Sequence, residues 1–351
     1  MKMLIINIGG TSSKVAIFEN ENMLHTQTFR HTPEELACDD LWQQYDFRKK
    51  VIKDYCESQN LDIKNLDAIV SRGASVKPIT SGVYRIDEEM IADAKSGEYG
   101  IHPCALGCQI AFELSEGMIP ALTVDPPCID EMIEIAKYTG LPELKRKSFF
   151  QALNHKAVAK RFAKQIGKKY EELNLVICHL GSGISVASHC KGKVIDVTNG
   201  LDGDAPFGLD RVGTLPAGDW MKLCFSGKYT QDELTNILNG KGGMFAYSGT
   251  SSAIEIEKKI ENGDKNIEQA YDAMAFQIAK GVGGASTVFE ERPDAIIFTG
   301  GLANSKYFIE KLTRRLNWIT KIYIFAGEDE MYALAEGAVR GLSGEEEILK
   351  Y

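Results

Sequence analysis

The chain opens on Leu4-Ile5-Ile6-Asn7-Ile8-Gly9-Gly10-Thr11-Ser12-Ser13-Lys14-Val15-Ala16-Ile17-Phe18, and the same plan returns much later. There it reads Leu175-Val176-Ile177-Cys178-His179-Leu180-Gly181-Ser182-Gly183-Ile184-Ser185-Val186-Ala187. An apolar run broken by small residues, then a second apolar run, predicts two strands joined by a tight turn. Laid over each other with one gap, the stretches align Asn7 with His179 and Val15-Ala16 with Val186-Ala187. Self-similarity at that separation predicts two halves sharing a strand–turn–strand opening, not a short-period solenoid.

Outward from the first hairpin, residues 33–60 turn helical, with Val51, Ile52 and Tyr55 on one face. Asp67-Ala68-Ile69-Val70 reads as a buried strand ending at Ser71-Arg72-Gly73. His102-Pro103 opens a helix whose Leu106, Ile110 and Leu114 share a face before Gly117 closes it. Ala121-Leu122-Thr123-Val124 is another strand, stopped by Asp125-Pro126-Pro127, and helices are expected over 129–139 and 152–167. Past the second hairpin come a loop-rich region (199–218), a long helix (267–289) and a third glycine motif. That motif is the strand Ala295-Ile296-Ile297-Phe298, the turn Thr299-Gly300-Gly301-Leu302-Ala303-Asn304-Ser305, and a helix through Phe308, Leu312 and Leu316. Strands alternating with helices define an α/β architecture. The expected division is 1–165 and 166–351, with the C-terminal helix packing back on the first domain.

The 351 residues suit two domains, and 44% hydrophobic with 25% charged residues is ordinary globular composition. Lys and Arg number 40 against 49 Asp and Glu, a formal charge of −9, so no basic field exists to attract nucleic acid or an anionic membrane. No apolar stretch approaches the roughly 18 residues of a membrane span. Met1-Lys2-Met3 runs straight into the first strand without a signal-peptide pattern. The eight cysteines are scattered, with Cys104 and Cys108 spaced for one helical face, as expected of reduced thiols. A cytoplasmic protein with neither nucleic-acid nor membrane partners is expected.

A single glycine-rich turn after a strand does no more than connect strands. Three of them, two placed as an internal repeat, predict phosphate binding, because without a Cβ the backbone N–H groups can converge on an anion. No G-x-x-x-x-G-K-[ST] run is present, no G-x-G-x-x-G opens a helix after the first strand, and H-E-x-x-H and G-x-S-x-G are absent.

Seven segments then carry a resemblance. Asn7–Lys14, Ser71-Arg72-Gly73, Val124-Asp125-Pro126-Pro127 and His179-Leu180-Gly181-Ser182-Gly183 resemble the acetate/butyrate kinase (acetokinase) family. So do Gly208-Leu209-Asp210-Arg211-Val212-Gly213-Thr214-Leu215-Pro216, Thr299-Gly300-Gly301 and Glu328-Asp329-Glu330-Met331-Tyr332-Ala333-Leu334-Ala335. They occur in family order across nearly the whole chain. The length, Lys77-Pro78-Ile79 and the run from Leu201 through Asp202 to Phe207 lean toward the butyrate kinase branch. The resemblance implies the duplicated two-domain fold of acetate and sugar kinases, Hsp70 and actin, with ATP in an interdomain cleft. It implies reversible transfer of the γ-phosphoryl of ATP to a short-chain carboxylate such as butanoate, with Mg²⁺ as cofactor and a homodimer or higher homo-oligomer as assembly.

The same resemblance assigns roles residue by residue. Arg72 would hold the substrate carboxylate and Arg211 the transferring phosphoryl, since a guanidinium stays charged and offers a planar fork of donors. Asp125 matches the family's catalytic acid, His102 a histidine near the acyl site, and Asn7 and Glu330 the magnesium positions. Ser12, Lys14, His179, Gly181, Ser182 and Gly183 match phosphate-contacting positions, and Gly300 and Gly301 the adenosine loop. The chain departs from the pattern at Ile8 and Gly10. Gln151 stands where the family has a transition-state histidine, and Ser252 and Ile254 replace an Asp and an Arg that help hold the nucleotide. A diverged member that binds nucleotide but turns over weakly, as a sensor or scaffold, is the alternative those departures leave open.

Overall fold

The computed structural model describes residues 1–351 apart from Asp39 and Asp202, so one residue of the Leu201–Phe207 run lies outside the described residues. The strands of the first half are β1 (Lys2–Ile8), β2 (Ser12–Glu19), β3 (Asn22–Arg30), β4 (Ala68–Ser71), β5 (Val83–Arg85) and β6 (Ala121–Val124). Those that follow are β7 (Asn174–Leu180), β8 (Ile184–Cys190), β9 (Lys193–Val197), β10 (Ala295–Gly300), β11 (Ile322–Ala326) and β12 (Ile348–Leu349).

Two sheets form, in the orders β12-β5-β6-β4-β1-β2-β3 and β11-β10-β7-β8-β9. In both, an antiparallel meander (β1-β2-β3 or β7-β8-β9) continues through its first strand into two parallel strands, β4 and β6 or β10 and β11. The repeat read from residues 4–16 and 175–187 is therefore a repeat of topology. The hairpin registers Ile8↔Ser13 and Leu180↔Ile184 leave residues 9–12 and 181–183 as the turns.

The central strands carry buried residues on both faces, since successive side chains point opposite ways, so each sheet is covered on both sides. On β7, Val176, Cys178 and Leu180 join one core with Tyr271, Met274, Ile278 and Val282 of helix Lys265–Ser286. Leu175 and Ile177 join another with Val158 and Phe162 of helix Ala152–Gln165. In the first sheet, helix Cys104–Ser115 lies so close to β1 and β4 that a Cβ on Gly107 would stand 2.8 Å from Ser71 Oγ. Cys104 and Cys108 are both buried there, and all eight cysteines are free thiols. Helix Glu330–Ser343 packs on β6, where a Cβ at Gly337 would fall 2.2 Å from Val124 Cγ1.

The compact units are Met1–Ile129 with Asp329–Tyr351, and Asp130–Glu328. The boundary expected at 165/166 therefore moves to 129/130, because helix Ala152–Gln165 covers the second sheet. The helix expected over 129–139 does not form. Only the 3₁₀ turn Glu134–Lys137 does, because the Ile133 N–H bonds the Ile195 carbonyl and Lys137 is drawn to Asp130 at 2.9 Å. The 33–60 helical pattern breaks into Pro33–Leu36, a 3₁₀ turn Leu41–Gln44 capped by Asp40, and Tyr45–Ser58. No described helix is long and apolar enough to cross a membrane.

Candidate active-site residues in each unit

In parallel α/β sheets, ligands gather outside the carboxyl ends of the strands. The first unit carries its candidate residues there. Asn7 is near the end of β1, Arg72 follows β4, and Asp125 follows β6. Asn7 Nδ2 donates to Glu330 Oε2 at 2.7 Å, and Arg72 Nη2 meets Glu330 Oε1 at 2.8 Å. Glu330 is the first residue of its helix, where a carboxylate is favoured by the unsatisfied N–H groups. It thus ties an amide and a guanidinium from distant segments into one cluster. Gly73, with φ +102°, lets the chain turn after Arg72, because a Cβ there would stand 2.6 Å from Pro126 Cβ. The loops carrying Arg72 and Asp125 consequently abut.

Asp125 is buried and adopts φ +41°, a left-handed conformation that few non-glycine residues take. It is locked by reciprocal bonds: Gly82 N–H donates to Asp125 Oδ1, and Asp125 N–H to the Gly82 carbonyl, both at 3.0 Å. Such strain recurs at functional sites. His102 is held by its own helix start, its Nδ1 accepting the Cys104 N–H at 3.2 Å, which puts the ring proton on Nε2. Burial, and then the positive charge of Arg72, hold its pKa below the ordinary histidine value. Burial pushes the neighbouring Cys104 thiol up to about 12, so it stays protonated. Ser12 and Lys14 are half-buried at the start of β2.

The second unit repeats the arrangement. His179 lies near the carboxyl end of β7, Gly300 ends β10, and Glu328 follows β11. Asn154 Nδ2 donates to His179 Nδ1 at 2.9 Å and lies 3.0 Å from Thr299 Oγ1, which leaves the imidazole proton on Nε2, 3.0 Å from Glu328 Oε1. A Cβ at Gly181 would sit 2.9 Å from His179 Nε2, so glycine admits the ring beneath the turn. Gly300, at φ +88°, crosses Leu180 so closely that a Cβ would lie 2.6 Å from its carbonyl oxygen. Gly301 begins the following 3₁₀ turn.

Arg211 comes to the same hairpin. The Leu209 N–H donates to the Ser182 carbonyl at 2.9 Å, and a Cβ on Gly183 would touch Arg211 Cγ at 3.3 Å. Its Nε meets Asp210 Oδ1 at 3.0 Å and Nη1 reaches Asn239 Oδ1 at 3.4 Å. Gln151 is half-buried just before helix Ala152–Gln165. His155, one turn on, is fully buried: its Nε2 is 2.9 Å from Ser185 Oγ and its Nδ1 3.3 Å from His189 Nε2. It is therefore committed to the interior. Ser252 caps helix Ala253–Glu261 through the Glu255 N–H, and Ile254 is exposed. The sequence reading missed Asn154 and Glu328, the two partners of His179, and Arg48, which lies under the first turn.

Solved structures share this architecture. The acetate kinase of Porphyromonas gingivalis superposes with a TM-score of 0.79 at 19% identity, covering 95% of this chain and 98% of that one. A propionate kinase from Francisella tularensis subsp. tularensis gives 0.78 at 18% identity, again covering 95% and 98%. The fold is thus the duplicated α/β fold seen in those acetate and propionate kinase structures. The relationship then narrows in sequence. Residues 140–326 match the model of the acetokinase family. "Butyrate kinase 2" of Clostridium acetobutylicum is 46% identical over 352 aligned positions, covering 100% of this chain and 99% of that protein. The chain belongs to the acetokinase family.

Proposed function

We propose that the chain phosphorylates a short-chain carboxylate, butanoate or a branched analogue, at the expense of ATP, giving an acyl phosphate and ADP reversibly. The observation that carries this reading is the full-length 46% identity to butyrate kinase 2. The chemistry is an in-line displacement. A carboxylate oxygen forms a bond to the γ-phosphorus, the bond from that phosphorus to the β-bridging oxygen breaks, and the electron pair leaves on ADP. The nucleophile is already ionised, so no base is needed. The barrier lies in bringing two anions together.

Arg72 answers the first anion. Its five N–H donors allow a substrate carboxylate to share the guanidinium with Glu330. Arg211 answers the second, beside a turn whose glycines let phosphoryl oxygens approach the backbone. Asp125 is a positioning residue for the Gly82 and Arg72 loops, and neutral His102 borders the acyl end. Ser12 and Lys14, and likewise His179, Gly181, Ser182 and Gly183, would contact phosphates, and Gly300 and Gly301 the adenosine. Asn7 Oδ1 and the Glu330 carboxylate are the hard oxygens that would hold Mg²⁺, on side chains already tied by the Asn7 Nδ2 bond to Glu330 Oε2. When bound, the ion would neutralise phosphate charge. Assembly as a homodimer or larger homo-oligomer belongs to the same reading, and sedimentation velocity measures it.

The direct test is trapping of acyl hydroxamate from C2–C6 acids with Mg-ATP. The greatest yield is expected with C4 acids, and no product from any acid would overturn the proposal. Gln151 gives a second expected result. Glutamine can donate a neutral N–H, whereas histidine can also become cationic, and a charge-assisted bond is about twice as strong. Gln151→His should raise kcat by about tenfold, roughly 1.4 kcal/mol. A kcat that is unchanged or lower would remove Gln151 from the phosphoryl environment.

A further inference from the structure

The turn between β1 and β2 is held from beneath by one side chain. Arg48, on helix Tyr45–Ser58, is fully buried. Its Nη1 donates to the Gly9 carbonyl at 3.1 Å and the Ser12 carbonyl at 3.2 Å, and its Nη2 to the Gly10 carbonyl at 3.0 Å. Nη1 also reaches Ser13 Oγ at 3.3 Å, and Nε is anchored to Gln44 Oε1 at 3.0 Å. The guanidinium therefore spends its fork on peptide oxygens of a single turn.

A trans peptide group is planar, so a carbonyl pointing one way sends the next residue's N–H the other way. No peptide here is cis. With the Gly9 and Gly10 carbonyls aimed at Arg48, the N–H groups of Gly10 and Thr11 leave from the opposite side. Both residues are exposed, and neither N–H bonds to another backbone group or side chain among the described residues. Apart from its chain neighbours, nothing lies within 4 Å of where a Cβ on Gly10 would be, so no other part of the chain crowds this residue. Two consecutive N–H groups pointing outward form a nest for an anionic oxygen.

We infer that Arg48 is a positioning residue: by gathering the Gly9, Gly10 and Ser12 carbonyls it turns the Gly10 and Thr11 N–H groups outward to receive the phosphates of the nucleotide. The inference rests on the nucleotide reading above and adds to it what shapes the cradle. A lysine at this position would keep charge and length but present its donors from one nitrogen, without the planar fork that spans two carbonyls.

The test uses the full chain. In wild type, the amide resonances of Gly10 and Thr11 should move on addition of Mg-ATP and stay in place with adenosine. Arg48→Lys should weaken Mg-ATP binding by calorimetry about tenfold or more, the loss of one or two hydrogen bonds to a charged group, while adenosine binds as before. Equal losses for ATP and adenosine would mean a merely structural role and overturn the inference. So would Mg-ATP binding to wild type with both amides unmoved, a result that holds even if Arg48→Lys fails to fold. A wild-type chain that binds no Mg-ATP at all overturns the nucleotide reading itself, and the inference with it.

Discussion

Arg72→Ala and Arg211→Ala should each lower kcat/KM for acyl phosphate formation by about 10²- to 10⁴-fold, corresponding to roughly 3–5 kcal/mol of transition-state stabilisation. The size follows from desolvation. Arg72 and Glu330 are both mostly buried, with 19% and 18% of their side chains exposed, so an anion placed there loses more than it would in water. The two losses should differ in kind. Without Arg72 the substrate carboxylate loses its ground-state partner, so KM for the acid should rise most. Without Arg211, charge on the phosphoryl in flight is unanswered, and kcat should fall with KM little changed. Lysine should rescue each site only in part, because a point charge does not replace the fork. Steady-state kinetics showing under a tenfold loss in both alanine variants would remove both assignments.

Arg72 and Arg211 entered only through the family resemblance of Ser71-Arg72-Gly73 and Gly208–Pro216, because a single arginine after a strand or turn carries no local mark of a role. Glu330 was legible only through its motif. The contact that gives it meaning, to Asn7, spans 323 positions, and no local pattern encodes such a distance. Asn154 and Glu328 escaped for the same reason, since they matter only by holding His179. Arg48 is a different case. It is in helical register with Ile52 and Tyr55, both buried, and a charged residue on an apolar stripe is a signal that was available. β3 was missed because its side chains are mostly exposed and it is held to β2 through the backbone ladder, so it lacks apolar alternation. The 129–139 segment erred the other way. Ile129, Met132, Ile133 and Ala136 imitate a helical stripe, yet Ile133 bonds to Ile195 and the segment turns only once. The domain boundary slipped because periodicity shows that helix Ala152–Gln165 has an apolar face without showing which sheet that face meets.

That helix also supplies the largest expected effect on stability. Lys156 is fully buried, and its Nζ donates to Glu131 Oε2 at 2.6 Å and to the Gly192 carbonyl at 2.9 Å, 5.4 Å from the centre of the Tyr170 ring. The partner side chain is 3% exposed, and the same Oε2 accepts the Val194 N–H at 2.7 Å. The pair thus fixes the segment entering the second unit to β9 and to the helix behind β7. Lys156→Met keeps the aliphatic length but leaves a buried carboxylate without its cation, a change that costs about 3–5 kcal/mol. Glu131→Gln in that background removes the stranded charge while keeping an oxygen for Val194, and should recover most of the loss. The double variant should therefore be more stable than Lys156→Met alone, a coupling that urea titration of the singles and the double reads as a cycle. A loss under about 1 kcal/mol for Lys156→Met, the worth of an exposed pair, would show that the ammonium reaches water and that Glu131 is not buried with it. Additive losses would show that the two residues stabilise the unit independently, through packing alone.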